Sequence, residues 1–271
     1  MALKPQFSII IPTLNEAKYL PRLLEDLSSQ TYQGFEVIIV DGESDDQTVA
    51  KARLFKSKLP LLKILTSPKR HVCTQRNLGA QNASADILIF SDADNRLPPY
   101  FLQGIKYRWE SNNVDILTCW LKPDISNRQN DAIALAINTF FELQSTVKPT
   151  YLLESFFVIS SKCFTLIGGF DESIDYAEGK SIIQPAISHG FSAKIFKDPV
   201  YTFSFRRLRK YGVLGIAGRM AKLELSNLLG PEFHNFQASK LYPMSGGGLF
   251  KKPKRAKNKF LKNIAKLLKD F

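Results

Sequence analysis

Short runs dense in Ile, Val and Phe recur through the N-terminal part of the chain: FSIIIPT (Phe7–Thr13), FEVIIVD (Phe35–Asp41), LLKIL (Leu61–Leu65) and DILIFSD (Asp86–Asp92). None alternates apolar with polar residues, so each fits a strand buried on both faces. Helix-length segments separate them. Ala17–Ser29 carries Leu20, Leu23, Leu24 and Leu27 on one stripe, and Asp45–Lys56 and Val72–Ala83 follow in the next two intervals. Alternation of strand and helix predicts βαβ units, hence a mostly parallel sheet with helices on both faces.

In such sheets ligands bind beyond the carboxyl ends of the strands. Three of the four predicted strands end in polar groups: Thr13 with Asn15 and Glu16, Asp41 followed by GESDD, and Asp92 with Asp94. Further on the pattern is less regular. Asp131–Leu143 predicts an apolar-faced helix, Glu154–Ser161 a strand, and Glu178–His189 and Arg209–Leu229 two more helices. Gly230, Pro231 and the SGGG run at Ser245–Gly248 predict a linker.

The chain has 271 residues, 44% of them hydrophobic, enough for one large α/β domain or one domain with an appendage. Cys73, Cys119 and Cys163 form no CxxC pair, and three widely spaced cysteines make no disulfide framework. A reducing cytosol is the expected setting. His71, His189 and His234 are isolated, which argues against zinc. The N-terminal apolar stretch is too short for a signal peptide, and no run reaches membrane-spanning length. Net charge is +12, but residues 249–271 hold nine Lys or Arg against one Asp, leaving +4 for everything before them.

The D-x-D at residues 92–94 changes the picture most. If the chain stays extended, Asp92 and Asp94 share one face, since side chains at i and i+2 point the same way. Two carboxylates of this kind suit Mg²⁺ or Mn²⁺ bridging to phosphate oxygens. No G-x-G-x-x-G follows the first strand and no G-x-x-x-x-G-K-[ST] occurs, which excludes the usual dinucleotide and P-loop phosphate cradles.

The stretches FSIIIPTLNE, SQTYQGFEVIIVDGESDDQT and RNLGAQNASADILIFSDADNRLPP, in this order, resemble the nucleotide-sugar domain of family-2 glycosyltransferases, whose fold is called GT-A. The resemblance implies that Pro12, Thr13, Asn15 and Glu16 lie against the nucleoside and Asp41 near the base. It implies a base or phosphate contact for Arg76 beside Asn77, a ribose-side position for Asp92, and Mn²⁺ or Mg²⁺ bound by Asp94 with Asp92. Asn15 and Glu16 have a plainer alternative as caps of the next helix, and Arg76 as a surface cation. Uridine-binding members often have two adjacent aspartates where this chain has Asp41-Gly42, which leaves the base open.

The segment LIGGFDESIDYAEGKS is similar to the family's acceptor side, where GGFDE precedes a Glu-Asp pair at a helix start. Here the pair reads Glu178-Gly179. The resemblance implies an inverting transfer in which a carboxylate there takes the acceptor proton, and Glu178 is the nearest substitute for the missing aspartate. Asp175, Asp171 and Glu172 are alternatives, and Glu178 could instead favour its helix N-terminus. Arg206, Arg207 and Arg209 of SFRRLRKYG occupy the place of a cationic motif that closes over the diphosphate.

The expected organisation is a GT-A domain over residues 1–230, with a nucleotide-binding half at about 5–101 and an acceptor half at about 102–230. A linker over 231–248 and a basic amphipathic tail over 249–271 complete it. In the tail, Phe260, Leu261, Ile264, Leu267, Leu268 and Phe271 make one helical apolar face flanked by lysines, a pattern suited to an anionic membrane surface more than to nucleic acid. The expected enzyme moves a sugar from a nucleoside diphosphate to an acceptor hydroxyl, lipid-linked in the reading from the tail, at the inner face of the cell membrane. A nucleotidyltransferase and a catalytically degenerate binder are the alternatives.

Overall fold

The computed structural model describes residues 4–59, 61–147, 149, 151–174, 177–227 and 241. Apart from residue 241, the linker and the basic tail predicted from the sequence lie outside the described residues. Fifteen elements follow in chain order. They are β1 (Phe7–Thr13), α1 (Leu20–Ser28), β2 (Phe35–Asp41), α2 (Thr48–Arg53), β3 (Leu62–Thr66), α3 (Val72–Gln81), β4 (Ile87–Ser91) and α4 (Phe101–Ser111), and then β5 (Ile116–Pro123), α5 (Arg128–Val147), β6 (Phe156–Ser160), α6 (Ser161–Leu166), α7 (Lys180–Ser188), β7 (Ala193–Phe203) and α8 (Arg206–Asn227).

One seven-stranded sheet runs β3-β2-β1-β4-β6-β5-β7. β6 is antiparallel to β4 and β5, while the remaining pairings are parallel. All seven residues of β1 and of β2 are buried, as their unbroken apolar runs require. Side chains nonetheless alternate between two cores. Ile9 and Ile11 join Leu20, Leu23, Leu24 and Phe101 on one face, whereas Ile10 joins Ile38, Val40, Phe90 and Ile183 on the other. α3 lies close on β1 because Gly79 has no side chain: a Cβ there would stand 2.4 Å from Ile10 Cγ2.

The sheet directs its crevice to one place. β1 to β3 extend to one side and β4 leaves on the other, so the strand order reverses between β1 and β4. β1 pairs with β4 only over Phe7–Ile10, so Pro12, which has no N–H, falls beyond that ladder. There β1 and β4 part, and a ligand crevice is expected at such a switch point.

Two expectations need correction. The helix read over Asp45–Lys56 spans only Thr48–Arg53, since Asp46 and the polar residues before it hold the preceding loop. β4 ends at Ser91, one residue before the D-x-D, so Asp92 and Asp94 do not share a face by strand alternation. The chain turns instead, with Asn95 N–H donating to the Asp92 carbonyl at 3.3 Å.

Candidate functional site

The ends of β1 and β2 are locked in register, Thr13 opposite Asp41. Thr13 Oγ1 donates to Asp41 Oδ1 at 3.0 Å, Ser44 Oγ donates to the same oxygen at 2.6 Å, and Ser44 N–H donates to Asp41 Oδ2 at 2.8 Å. Gln75 of α3, buried, donates through Nε2 to the Thr13 and Val40 carbonyls at 2.7 and 2.8 Å, fastening both strand ends. Asn15 adopts φ 57°. Its N–H donates to Ser44 Oγ and its Oδ1 accepts from Asp45 N–H, at 2.8 and 2.9 Å. It therefore clamps the loop after β2; the N-cap of α1 is Tyr19.

Glu16 is 5% exposed and faces Arg206, 190 residues away in sequence. The contact is bidentate, at 2.9 and 2.6 Å, and Arg206 Nε reaches Asp94 Oδ2 at 2.9 Å. The guanidinium also lies 4.8 Å from the centre of the Tyr19 ring. Burial raises the Glu16 pKa, helped by Asp94 and Asp92 and opposed by Arg206. One arginine thus ties the end of β1 to the turn after β4.

Asp92 belongs to a second arginine. Arg76 of α3, 3% exposed, donates from Nη2 to Asp92 Oδ1 and to the Glu154 carbonyl, both at 3.1 Å, and its guanidinium lies 5.1 Å from the Phe170 ring centre. Its Nε and Nη1 have no hydrogen-bond partner among the described residues. Burial raises the Asp92 pKa against the pull of Arg76, with Asp94 and Glu178 adding to the rise. The turn itself is braced from below: Asp92 N–H donates to the Ser155 carbonyl at 2.9 Å, and Ser155 Oγ meets the Tyr201 hydroxyl at 2.8 Å.

Each aspartate of the D-x-D has one oxygen on an arginine, Oδ1 of Asp92 and Oδ2 of Asp94, which leaves one oxygen of each for a hard cation. No cluster of three or more potential metal-ligating side chains occurs among the described residues. Two carboxylates completed by water and phosphate oxygens are nevertheless the ordinary complement for Mg²⁺ or Mn²⁺ with a diphosphate, so the donor set fits such an ion.

On the acceptor side α3 holds the loop after α6. Asn77 Nδ2 donates to the Phe170 carbonyl at 2.9 Å and to Glu172 Oε1 at 3.1 Å, and Thr74 Oγ1 donates to Glu172 Oε2 at 2.7 Å. Hydrogen bonds from Thr74 and Asn77 lower the Glu172 pKa, and those from Ser173 lower that of Asp171. Both alternative bases are thereby occupied as acceptors. Asp175 lies outside the described residues.

Glu178 is 9% exposed, and its carboxyl lies beside that of Glu154. Burial and the neighbouring Glu178 push the Glu154 pKa well up. Glu178 is held below the ordinary value: burial would raise it, but the Glu154 hydrogen bond and Arg76 together prevail. Sequence reasoning missed Glu154, Gln75 and Tyr19. The one available signal for Glu154 was the absence of an acid at Gly179.

The three arginines of SFRRLRKYG diverge. Arg206 enters the site, while Arg209 pairs bidentately with Asp124 at 2.7 Å through both contacts. Asp124 Oδ1 also accepts from Phe205 N–H at 3.0 Å, which fixes the start of α8.

The profile of the family described as Glycosyl transferase family 2 matches residues 8–173. Over 94 residues the chain is 40% identical to a PGL/p-HBAD biosynthesis glycosyltransferase of Mycobacterium tuberculosis, covering 34% of this chain and 37% of that protein. Over 212 residues it is 23% identical to the poly(ribitol-phosphate) beta-N-acetylglucosaminyltransferase TarS of Staphylococcus aureus, covering 74% of this chain and 36% of that one. The chain spans little more than a third of the length of these curated relatives. Among solved structures, S. aureus TarS 1-349 in complex with UDP-GlcNAc superposes with a TM-score of 0.58 at 22% identity, over 74% of this chain and 59% of that one. The mannosyltransferase PcManGT from Pyrobaculum calidifontis in complex with GDP-Man and Mn²⁺ gives 0.63 at 17% identity, over 98% and 81%. These structural likenesses establish the shared GT-A fold.

Proposed function

Because the chain belongs to glycosyl transferase family 2, we propose that it transfers a sugar from a nucleoside diphosphate donor to an acceptor hydroxyl, with inversion at the anomeric carbon, in glycan synthesis. The observation that carries this reading is the convergence of Glu16, Asp92 and Asp94 with Arg76 and Arg206 at the β1/β4 switch point. Charges of both signs meet there on rigid strand and helix ends, where a diphosphate and its cation need them.

In this reading Thr13, Asn15, Glu16 and Asp41 frame the nucleoside, with Pro12 shaping the strand end beneath it. Asp92 and Asp94 would hold Mn²⁺ or Mg²⁺, which neutralises the diphosphate when bound. Arg206 exchanges its carboxylate partners for phosphate oxygens and stabilises charge on the departing nucleoside diphosphate. Arg209 acts at a distance, through Asp124, by fixing the helix that carries Arg206. Glu178 accepts the acceptor proton. The relatives' structures hold UDP-GlcNAc in one case and GDP-Man in the other, so the base is best identified directly.

A thermal-shift screen of UDP-, GDP-, CDP- and dTDP-sugars with and without Mn²⁺ tests the donor site. A ligand at a hundredfold excess over its Kd stabilises by about 2.7 kcal/mol. One donor class should raise Tm more with Mn²⁺ than without, and Asp94→Ala should remove the Mn²⁺-dependent part. Equal shifts in parent and Asp94→Ala would remove Asp94 from the metal site.

The basic amphipathic tail suggests work at the inner face of a membrane on a lipid-linked acceptor. No helix among the described residues is long and apolar enough to cross a bilayer, so attachment in this reading comes from the tail.

A further inference from the structure

We propose that Glu154 and Glu178 act as one proton-accepting unit toward the acceptor hydroxyl, the Glu154 carboxyl standing where a side chain on residue 179 would stand. This rests on the transferase reading above and adds a second carboxyl to its base.

The geometry begins at Gly179. Its backbone, at φ −61° and ψ −20°, is helical and open to any residue. Space is the obstacle. A Cβ on residue 179 would lie 2.8 Å from Glu154 Cγ, 3.0 Å from Glu154 Oε1 and 3.1 Å from Leu152 Cβ. Gly179 N–H donates to Glu154 Oε1 at 2.7 Å, which holds that carboxyl in place from the loop before β6. Its neighbour is the Glu178 carboxyl. A hydrogen bond between two carboxyls needs a proton on one of them.

The surrounding charges decide which. Arg76 lies beside the pair, its Nη2 on the Glu154 carbonyl, and His71, Cys73 and Asp92 are near enough to act on it electrostatically. Two buried carboxylates beside one guanidinium cannot both ionise cheaply. Burial and Glu178 drive the Glu154 pKa up while Arg76 and the Glu154 hydrogen bond hold that of Glu178 down, which puts the proton on Glu154 and the charge on Glu178. At rest the pair carries one proton.

In the transfer, the acceptor O–H gives its proton to Glu178 as the oxygen's electron pair forms the bond to C1 of the sugar. The bond from C1 to the diphosphate oxygen breaks, and its electrons leave with the nucleoside diphosphate. The pair then holds two protons and returns one to water.

Carbonyl-region NMR of full-length protein labelled with ¹³C at the glutamate carboxyl tests this without donor or turnover. One glutamate should stay protonated at pH 7. That signal should disappear in Glu154→Gln, and in Glu178→Gln the Glu154 carboxyl should titrate at lower pH than in the parent. Gln at 154 still accepts from Gly179 N–H and still donates to Glu178, so a merely structural role survives the change. Release of nucleoside diphosphate from the donor that binds best should fall by ~10²- to 10⁴-fold in Glu178→Gln, which removes the proton acceptor, whereas Glu154→Gln, which mimics the protonated carboxyl, should lose less than Glu154→Ala. Moving the carboxyl, Glu154→Ala with Gly179→Asp, should recover at least part of what Glu154→Ala alone loses. No glutamate protonated at pH 7, or Glu154→Ala or Glu178→Gln turning over at the parent rate, overturns the proposal. A parent that binds donors and never releases nucleoside diphosphate overturns the transferase reading instead.

Discussion

Replacing Arg206 by Met keeps a side chain against the Tyr19 ring, 4.8 Å from its centre to the guanidinium in the parent, while removing the cation shared by Glu16 and Asp94. The Arg206 and Glu16 side chains are 15% and 6% exposed. Breaking a buried pair from one side costs about 3–5 kcal/mol. Here the lower end applies, about 3 kcal/mol at pH 7, because Glu16 can shed its charge. Burial already raises its pKa and Arg206 is the main opposing influence, so without Arg206 the pKa rises further. A folded-state pKa above the unfolded value makes protonation favour the native state, so the stability it brings is present at low pH and is lost as pH rises. The deficit of Arg206→Met should therefore shrink by about 1–2 kcal/mol between pH 7 and pH 5, since a tenfold change in proton affinity is worth about 1.4 kcal/mol. Calorimetry should find Tm lowered by roughly 6–12 °C at pH 7, at about 2–4 °C per kcal/mol for a domain of this size, and by visibly less at pH 5. Equal deficits at the two pH values, or a loss below about 1 kcal/mol, would refute the reasoning.

Gly79→Ala should destabilise, because overpacking against Ile10 and Val40 at about 1–3 kcal/mol outweighs the helix-propensity gain of about 1 kcal/mol; a lower urea midpoint with unchanged slope checks it. Glu36 is 2% exposed, and although burial raises its pKa, hydrogen bonds from Lys63, Ser8 and Ser84 N–H hold it below the ordinary range. Its contribution is present above the unfolded pKa and lost as pH falls through the folded one, so Glu36→Gln should cost about 1–3 kcal/mol at pH 7 and much less at pH 3 in urea titrations. Deleting residues 249–271 should release the protein from anionic vesicles while donor-induced thermal shifts persist; equal co-sedimentation of both chains would exclude the tail as anchor.

β1 and β2 were legible to the residue, Phe7–Thr13 and Phe35–Asp41, because burial on both faces leaves an unbroken apolar run that only a polar strand end can close. β5 and β7 escaped the pattern. β7 is an edge strand, mostly half-exposed and interrupted by Pro199, and its sequence AKIFKDPVYTF has no clean period. Glu16, Asp41, Asp92 and Asp94 stood out as polar residues at strand ends. Their partners did not, since Arg206 meets Glu16 across 190 residues, and no local rule couples them. That Asp92 and Asp94 part toward two arginines follows from the turn closed by Asn95, which the expectation of an extended chain overlooked. Glu154 had only the missing acid at Gly179 to point to it: the two are tied by the absence of a side chain at 179, and such space appears only in three dimensions.

Sugar transfer from a nucleoside diphosphate is tested by ³¹P NMR of the products formed from the donor that stabilises the protein most in the presence of Mn²⁺. The account predicts resonances of the free nucleoside diphosphate, with the oxygen that joined sugar to phosphate retained on the phosphate when that bridge is ¹⁸O-labelled. Nucleoside triphosphate and sugar 1-phosphate, formed from the donor only when pyrophosphate is added, would instead identify a nucleotidyltransferase, and a donor that binds yet stays intact with the parent protein would contradict transfer altogether.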